Sequence, residues 1–316
     1  MSARKSDSAD RSKSAGRTAP AVALTVRRGV FQPATLWWLA CCLLGVVFLP
    51  YLPWMTPDLS ARPEYQVDWN SVLVTPVPRG VPERVVNDVR LQAQLPERLS
   101  LLQPGLAKQL AKAFAAHPWV ERVDRVEVKR QRRIDVDLTY RRVTLVVETS
   151  RGFYPVDVQC VLLPPSDFAP EDVSRLPVCR NVKTLPQGAA GEQWGDLIVE
   201  CAAKIAASLT PNGDTEKHWN RLGLAAIVAP VPRVADPIAE DLSFDIVTRG
   251  GSVIRWGRAP GADTLEPSVE QKIARLGQVV QRQGSLDAPG GPFKIDIRHD
   301  VVSLQALDDS RGAIVR

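Results

Sequence analysis

The stretch Arg133-Ile134-Asp135-Val136-Asp137-Leu138-Thr139-Tyr140-Arg141 alternates apolar and polar side chains without a break. Successive side chains of a strand point to opposite faces, so Ile134, Val136, Leu138 and Tyr140 line a buried face and the aspartates a wet one. Upstream, Gln131-Arg132-Arg133 makes a turn, and Arg122 to Lys129 gives the strand before it, with Val126 and Val128 on one face. Before that, Leu106, Leu110, Ala113 and Phe114 recur at helical spacing, and the helix ends at Ala116-His117, ahead of Pro118. Downstream, Val143, Leu145 and Val147 continue as a strand, and Phe153 to Leu163 supplies a last strand or hairpin. Helix followed by antiparallel strands predicts an α+β unit over residues 85–165, with a three-stranded sheet covered on one face. Val85–Gln92 is the strand expected to open it.

A second unit, mainly β with a packed helix, is expected over residues 166–308. Asp196 caps a helix in which Leu197, Ile198, Cys201, Ile205 and Leu209 share a stripe. Strands follow at Leu222–Val228 and Leu242–Thr248, then a turn at Arg249-Gly250-Gly251-Ser252 into Val253–Trp256. Pro267 opens a helix with Val269, Ile273, Leu276 and Val280 inward, and Gly284 stops it. Phe293–Arg298 and Val301–Leu307 are the last strands, and residues 309–316 read as a frayed tail.

Ahead of both units, no charged residue falls between Gly29 and Pro57. Ala34 to Trp54 is almost wholly apolar, with Trp37 and Trp38 near one end and Tyr51 and Trp54 near the other. The expectation is a single N-terminal transmembrane helix over residues 31–54, uncleaved and in contact with membrane lipid. Residues 1–30 carry seven basic and two acidic groups. The rest of the chain is neutral, with 33 of each sign. The positive-inside rule then puts a disordered basic tail (residues 1–30) in the cytoplasm and the C-terminal units outside a cytoplasmic (inner) membrane. Residues 55–84, rich in proline, read as a stiff spacer with one short strand at Ser71–Thr75. The high pI is on this reading a topology signal, and nucleic acid is not an expected partner.

Catalytic chemistry finds no constellation. His117 lies at a helix end where a cationic ring can meet the last carbonyls. His299 sits at a hairpin tip and His218 in a polar loop. Ser252 belongs to a turn, and Cys201 lies on an apolar helix stripe, where a buried inert thiol is expected. Asp135 and Asp137 share a solvated face beside Arg132, Arg133 and Arg141. Cys160, Cys179 and Cys201 allow at most one intramolecular disulfide, and no zinc spacing occurs. No enzyme activity, cofactor, metal or small-molecule substrate is expected. Exposed strand edges suit binding, and Val301–Leu307 is the best candidate, since nothing after it covers it.

In this order the elements resemble the bacterial cell-division protein FtsQ (DivIB) family, with its POTRA domain followed by a β domain. The residues that carry the resemblance are His117-Pro118-Trp119-Val120-Glu121 between helix and strand, and the strand pair Val123 to Arg142. Tyr154 to Leu162 is similar to the family's Val-Asp-x-x-Gly hairpin, with Cys160 at the glycine position. Phe293 to Asp300 is similar to its Asp-Leu-Arg-Tyr strand, and Trp256-Gly257 ends an earlier strand. The resemblance covers about half the chain. It implies a non-enzymatic scaffold of the divisome, linking early division proteins to septal wall synthesis, with FtsB and FtsL type proteins as partners. A partner strand would add to the C-terminal edge at or beside Ile297, Arg298, His299, Val301, Val302 and Leu304. Trp256, Lys272 and Arg275 would flank that contact. A POTRA-bearing protein of export or outer-membrane assembly is the alternative, but the many alternating strands of a barrel are absent.

Overall fold

The computed structural model describes residues 33–49, 59, 62–129, 132–262, 265–299 and 301–307. Helix α1 spans Pro33–Phe48, 16 residues, and its side chains from Leu36 onward are exposed. At about 1.5 Å per residue it is roughly 24 Å long, against a hydrocarbon core of about 30 Å. Among the described residues no helix is long and apolar enough to cross a membrane. The expected transmembrane helix is therefore overturned. With it go the single-pass inner-membrane placement and the lipid contact assigned to residues 31–54. Pro50 restricts the residue before it away from helical geometry, so composition overstated the helix that the apolar run can form. Residues 1–32 and 50–58, including the predicted tail, lie outside the described residues, as does the predicted frayed tail at 309–316.

Residues 59–316 form a separate unit with α+β architecture. Its first part is built from β1 (Gln66–Asp68), β2 (Leu73–Val74), α2 (Val85–Gln92), β3 (Arg98–Ser100), α3 (Leu106–Ala115), β4 (Val120–Lys129) and β5 (Arg133–Tyr140). β4 and β5 are antiparallel, and β2 joins β5 in parallel, giving a three-stranded sheet in the order β2-β5-β4. The alternation read from the sequence holds: Ile134, Val136, Leu138 and Tyr140 are all buried. They face α3, whose Leu106, Leu110 and Phe114 are buried at helical spacing.

The Pro-rich stretch contributes two strands rather than one. β1 pairs with β3, β2 with β5, and the Trp69 ring stacks on Phe114 with centroids 6.0 Å apart. The strand expected at Val85–Gln92 is helix α2, because Val85 and Val89 lie one turn apart and both are buried.

The second part is an eight-stranded sheet, formed by β6 (Leu145–Thr149), β7 (Gly152–Val156), β8 (Val178–Arg180), β9 (Leu224–Val228), β10 (Phe244–Thr248), β11 (Val253–Gly257), β12 (Phe293–Asp296) and β13 (Ser303–Ala306). Its order is β13-β12-β11-β10-β9-β8-β6-β7. The strands expected near residues 143–163 thus join this larger sheet. Helices α4 (Leu197–Leu209) and α5 (Val269–Gln283) pack on one core with it. Asp196 caps α4 as predicted, accepting the Ile198 N–H at 2.8 Å. The register lines Leu304, Ile295, Ile254, Ile246, Ile227, Cys179, Val147 and Tyr154 in one row across all eight strands. That row is the spine of the core, and Leu304 is its end on β13.

Candidate partner-binding edge

Among the described residues, the order of the sheet leaves β13 bonded on one side only, to β12. The Leu307 N–H donates to the Pro292 carbonyl at 2.9 Å. Inward and outward backbone groups alternate along an antiparallel strand. Gln305 and Ser303 therefore bond toward β12, while Leu304 and Ala306 present N–H and C=O to the open side. Side chains alternate as well: Val302 and Leu304 pack against the core, whereas Val301 is 80% exposed and Ser303 and Gln305 are exposed.

The other outer strands of the eight-stranded and three-stranded sheets are blunted. β4 carries Arg122, Asp124, Arg125, Glu127 and Lys129 and has two register shifts against β5. β7 contains Pro155, and the returning chain bridges its end through Val156 and Leu162. β2 is two residues long. Charge, bulges, proline and shortness all discourage strand addition. β13, Ser-Leu-Gln-Ala, has none of the first three and pairs with β12 without a shift.

The edge has a rigid support. Arg275 on α5 donates through Nη1 to the Ile297 carbonyl at 2.9 Å and to the His299 carbonyl, holding the chain between β12 and β13. Arg298 pairs with Asp296 at 2.6 Å, and this bond holds the Asp296 carboxyl below its ordinary range. Ser252 accepts the Phe293 N–H at 2.9 Å and donates to the Leu286 carbonyl at 2.9 Å, fixing the start of β12. Beneath lies a buried polar knot. Lys272, 3% exposed, pairs with Glu266 at 2.7 Å and lies 5.3 Å from the centroid of the Trp256 ring. Glu266 also takes the Arg258 guanidinium at 3.0 Å and the Arg258 N–H at 2.9 Å. Burial pushes the Glu266 carboxyl upward, but the bonds from Lys272 and Arg258 outweigh it, and the net shift is downward. Gly257, at φ 89°, leaves this carboxylate room that a Cβ would fill.

The nine residues expected at the contact therefore divide by depth. Val301, His299 and parts of Arg298, Val302 and Leu304 reach the surface, and Arg275 braces the turn. Trp256, Lys272 and Ile297 are buried and lie away from any surface contact. Ala306 was not singled out from the sequence, although its backbone faces the open side. A small exposed residue gives no side-chain signal, and only its place two residues beyond Leu304 could have marked it.

Elsewhere, His117 is buried, which disfavours the cationic ring expected from the sequence. Desolvation lowers its pKa, and its Nδ1 accepts the Trp119 N–H at 3.3 Å. Asp135 is held by Lys129 and by Arg133 at 2.6 Å, and these bonds lower its pKa. Cys160, Cys179 and Cys201 are unpaired thiols whose pKa values burial pushes up to about 12, 12 and 11. Among the described residues no group of three or more His, Cys, Asp or Glu side chains could hold a metal ion. The chain matches no protein-family model and no curated protein.

Proposed function

We propose that the protein is a scaffold of the bacterial cell-division machinery, and that proteins of the FtsB and FtsL type bind it by adding a strand to β13. The observation that carries this reading is the open edge itself: uncharged, regular, and backed by a core row ending at Leu304. Strand addition draws affinity from main-chain hydrogen bonds and specificity from alternate side chains. The division role rests on the resemblance of the ordered segments Val123–Arg142 and Phe293–Asp300 to the FtsQ (DivIB) family.

The test uses proline as a donor deletion. Ala306→Pro removes an N–H that faces outward, so β13 keeps its bonds to β12 while an added strand loses a partner. Co-purification of an FtsB-type partner should fall sharply for Ala306→Pro and vanish when residues 301–316 are deleted, with unchanged circular dichroism for the point variant. Full recovery of the partner by both variants would sink the edge reading. Absence of a midcell band for a fluorescent fusion would sink the division role.

A further inference from the structure

A cavity of about 760 Å³ lies where Arg141 to Thr144 passes from β5 in the three-stranded sheet to β6 in the eight-stranded sheet. Three further segments wall it: Pro78–Pro82 ahead of α2, Asp167–Leu176 between β7 and β8, and Asn212–Thr215 after α4. Its floor is apolar. Phe168, Val143 and Leu176 are half-buried there, and Trp119, 1% exposed, backs Phe168 with ring centroids 5.6 Å apart.

The charges around this floor do not balance. Asp167 is consumed by Arg84 and by the Trp119 Nε1–H at 2.8 Å. Arg141 is consumed by Asp157 at 2.6 Å. Asp172 accepts the Ala169 N–H at 3.1 Å. Arg142 gives one N–H to the Asn212 carbonyl at 3.0 Å and has no carboxylate. Arg79 and Arg175 are exposed and pair with no described residue. Three guanidiniums thus ring an apolar floor against one acid, Asp172. A volume of this size suits a ligand that buries most of its surface, and guanidiniums favour carboxylates through paired donors.

We propose that this cleft binds an acidic peptide segment, with an apolar side chain on the floor of Phe168, Val143 and Leu176 and flanking carboxylates on Arg79, Arg142 and Arg175. Because the walls are connecting segments that adjoin elements of both the three-stranded and the eight-stranded sheet, the bound segment clamps the junction between them. This site is independent of β13, and its partner can belong to a different protein.

The probe is a fluorescein-labelled peptide of alternating Glu and Leu, titrated by anisotropy against the whole chain. Peptides of alternating Gln and Leu and of alternating Lys and Leu serve as controls. The Glu-Leu peptide is expected to bind, the Gln-Leu peptide at least about tenfold more weakly, and the Lys-Leu peptide not at all. The surface variant Arg79→Glu with Arg175→Glu should lose the Glu-Leu peptide and gain the Lys-Leu peptide, while Ala306→Pro should bind as the parent does. Equal binding of Glu-Leu and Gln-Leu peptides, an unaffected double variant, or no binding would overturn the proposal. So would competition by inorganic polyphosphate as strong as that by unlabelled peptide, since the floor would then contribute nothing.

Discussion

Lys272 is a charged side chain set among Trp256, Leu276 and Val279, and its ammonium is answered by Glu266 and by the Trp256 ring. Removing one member of a buried pair leaves the other desolvated, so Lys272→Met should destabilise the fold by about 3 kcal/mol. Urea unfolding would measure it, and a midpoint within error of the parent would refute the buried pair. The carboxyl of Glu266 is depressed in the folded chain, so its stabilisation is present above the ordinary glutamate range and fades as pH falls through the folded value. The stability gap between parent and Glu266→Gln should therefore be constant at neutral pH and close below about pH 4. A gap that widens in acid would contradict the assignment. The thiols give a third residue-scale outcome. At pH 8 a thiol reagent should label Cys41 and Cys42, which are exposed, and spare Cys160, Cys179 and Cys201 until urea is added. Cys160 stands at φ 61°, in the left-handed region that favours glycine.

Among the elements, helix α5 shows what periodicity conveys. Val269, Ile273, Leu276 and Val280 were expected inward and do pack against the core, yet the fully buried line is Lys272, Leu276 and Val279. The stripe is rotated by a fraction of a turn, because the buried Lys272 counts as polar in any pattern. The helix is also fixed at its start, where Ser268 and Gln271 cap each other through a 3.3 Å and a 3.0 Å bond. Ser268→Ala should cost about 1 kcal/mol, read as a lowered urea midpoint. β5 was legible because one wet face and one buried face force strict alternation. α2 was not, because its valines favour strand locally and only their burial at one-turn spacing selects helix. β2 falls within the short strand expected at Ser71–Thr75, but β1 was hidden for another reason: three residues carry no period, and the partner, β3, lies far along the chain. The candidate edge was legible as the last alternating segment, but which of its neighbours would be buried was not.

At the scale of the unit formed by residues 59–316, the segment from β1 to Thr75 is part of the fold. Trp69 is buried against Phe114, and Thr75 accepts the Leu138 N–H at 2.9 Å. Trp69→Ala should destabilise residues 59–316 by about 3–5 kcal/mol. An unchanged thermal midpoint would return the stretch to the role of a spacer. On the proposed strand addition, the Arg275 brace has a consequence for how a partner arrives. With the backbone from Ile297 to His299 tied to α5, the receiving strand is already in its bound shape and gives up little conformational freedom on association. The ordering cost falls on the incoming segment. Stiffening that segment should tighten the complex more than adding contacts to it, and loosening the receptor by Arg275→Ala should shift cost back onto this chain as a slower association rate.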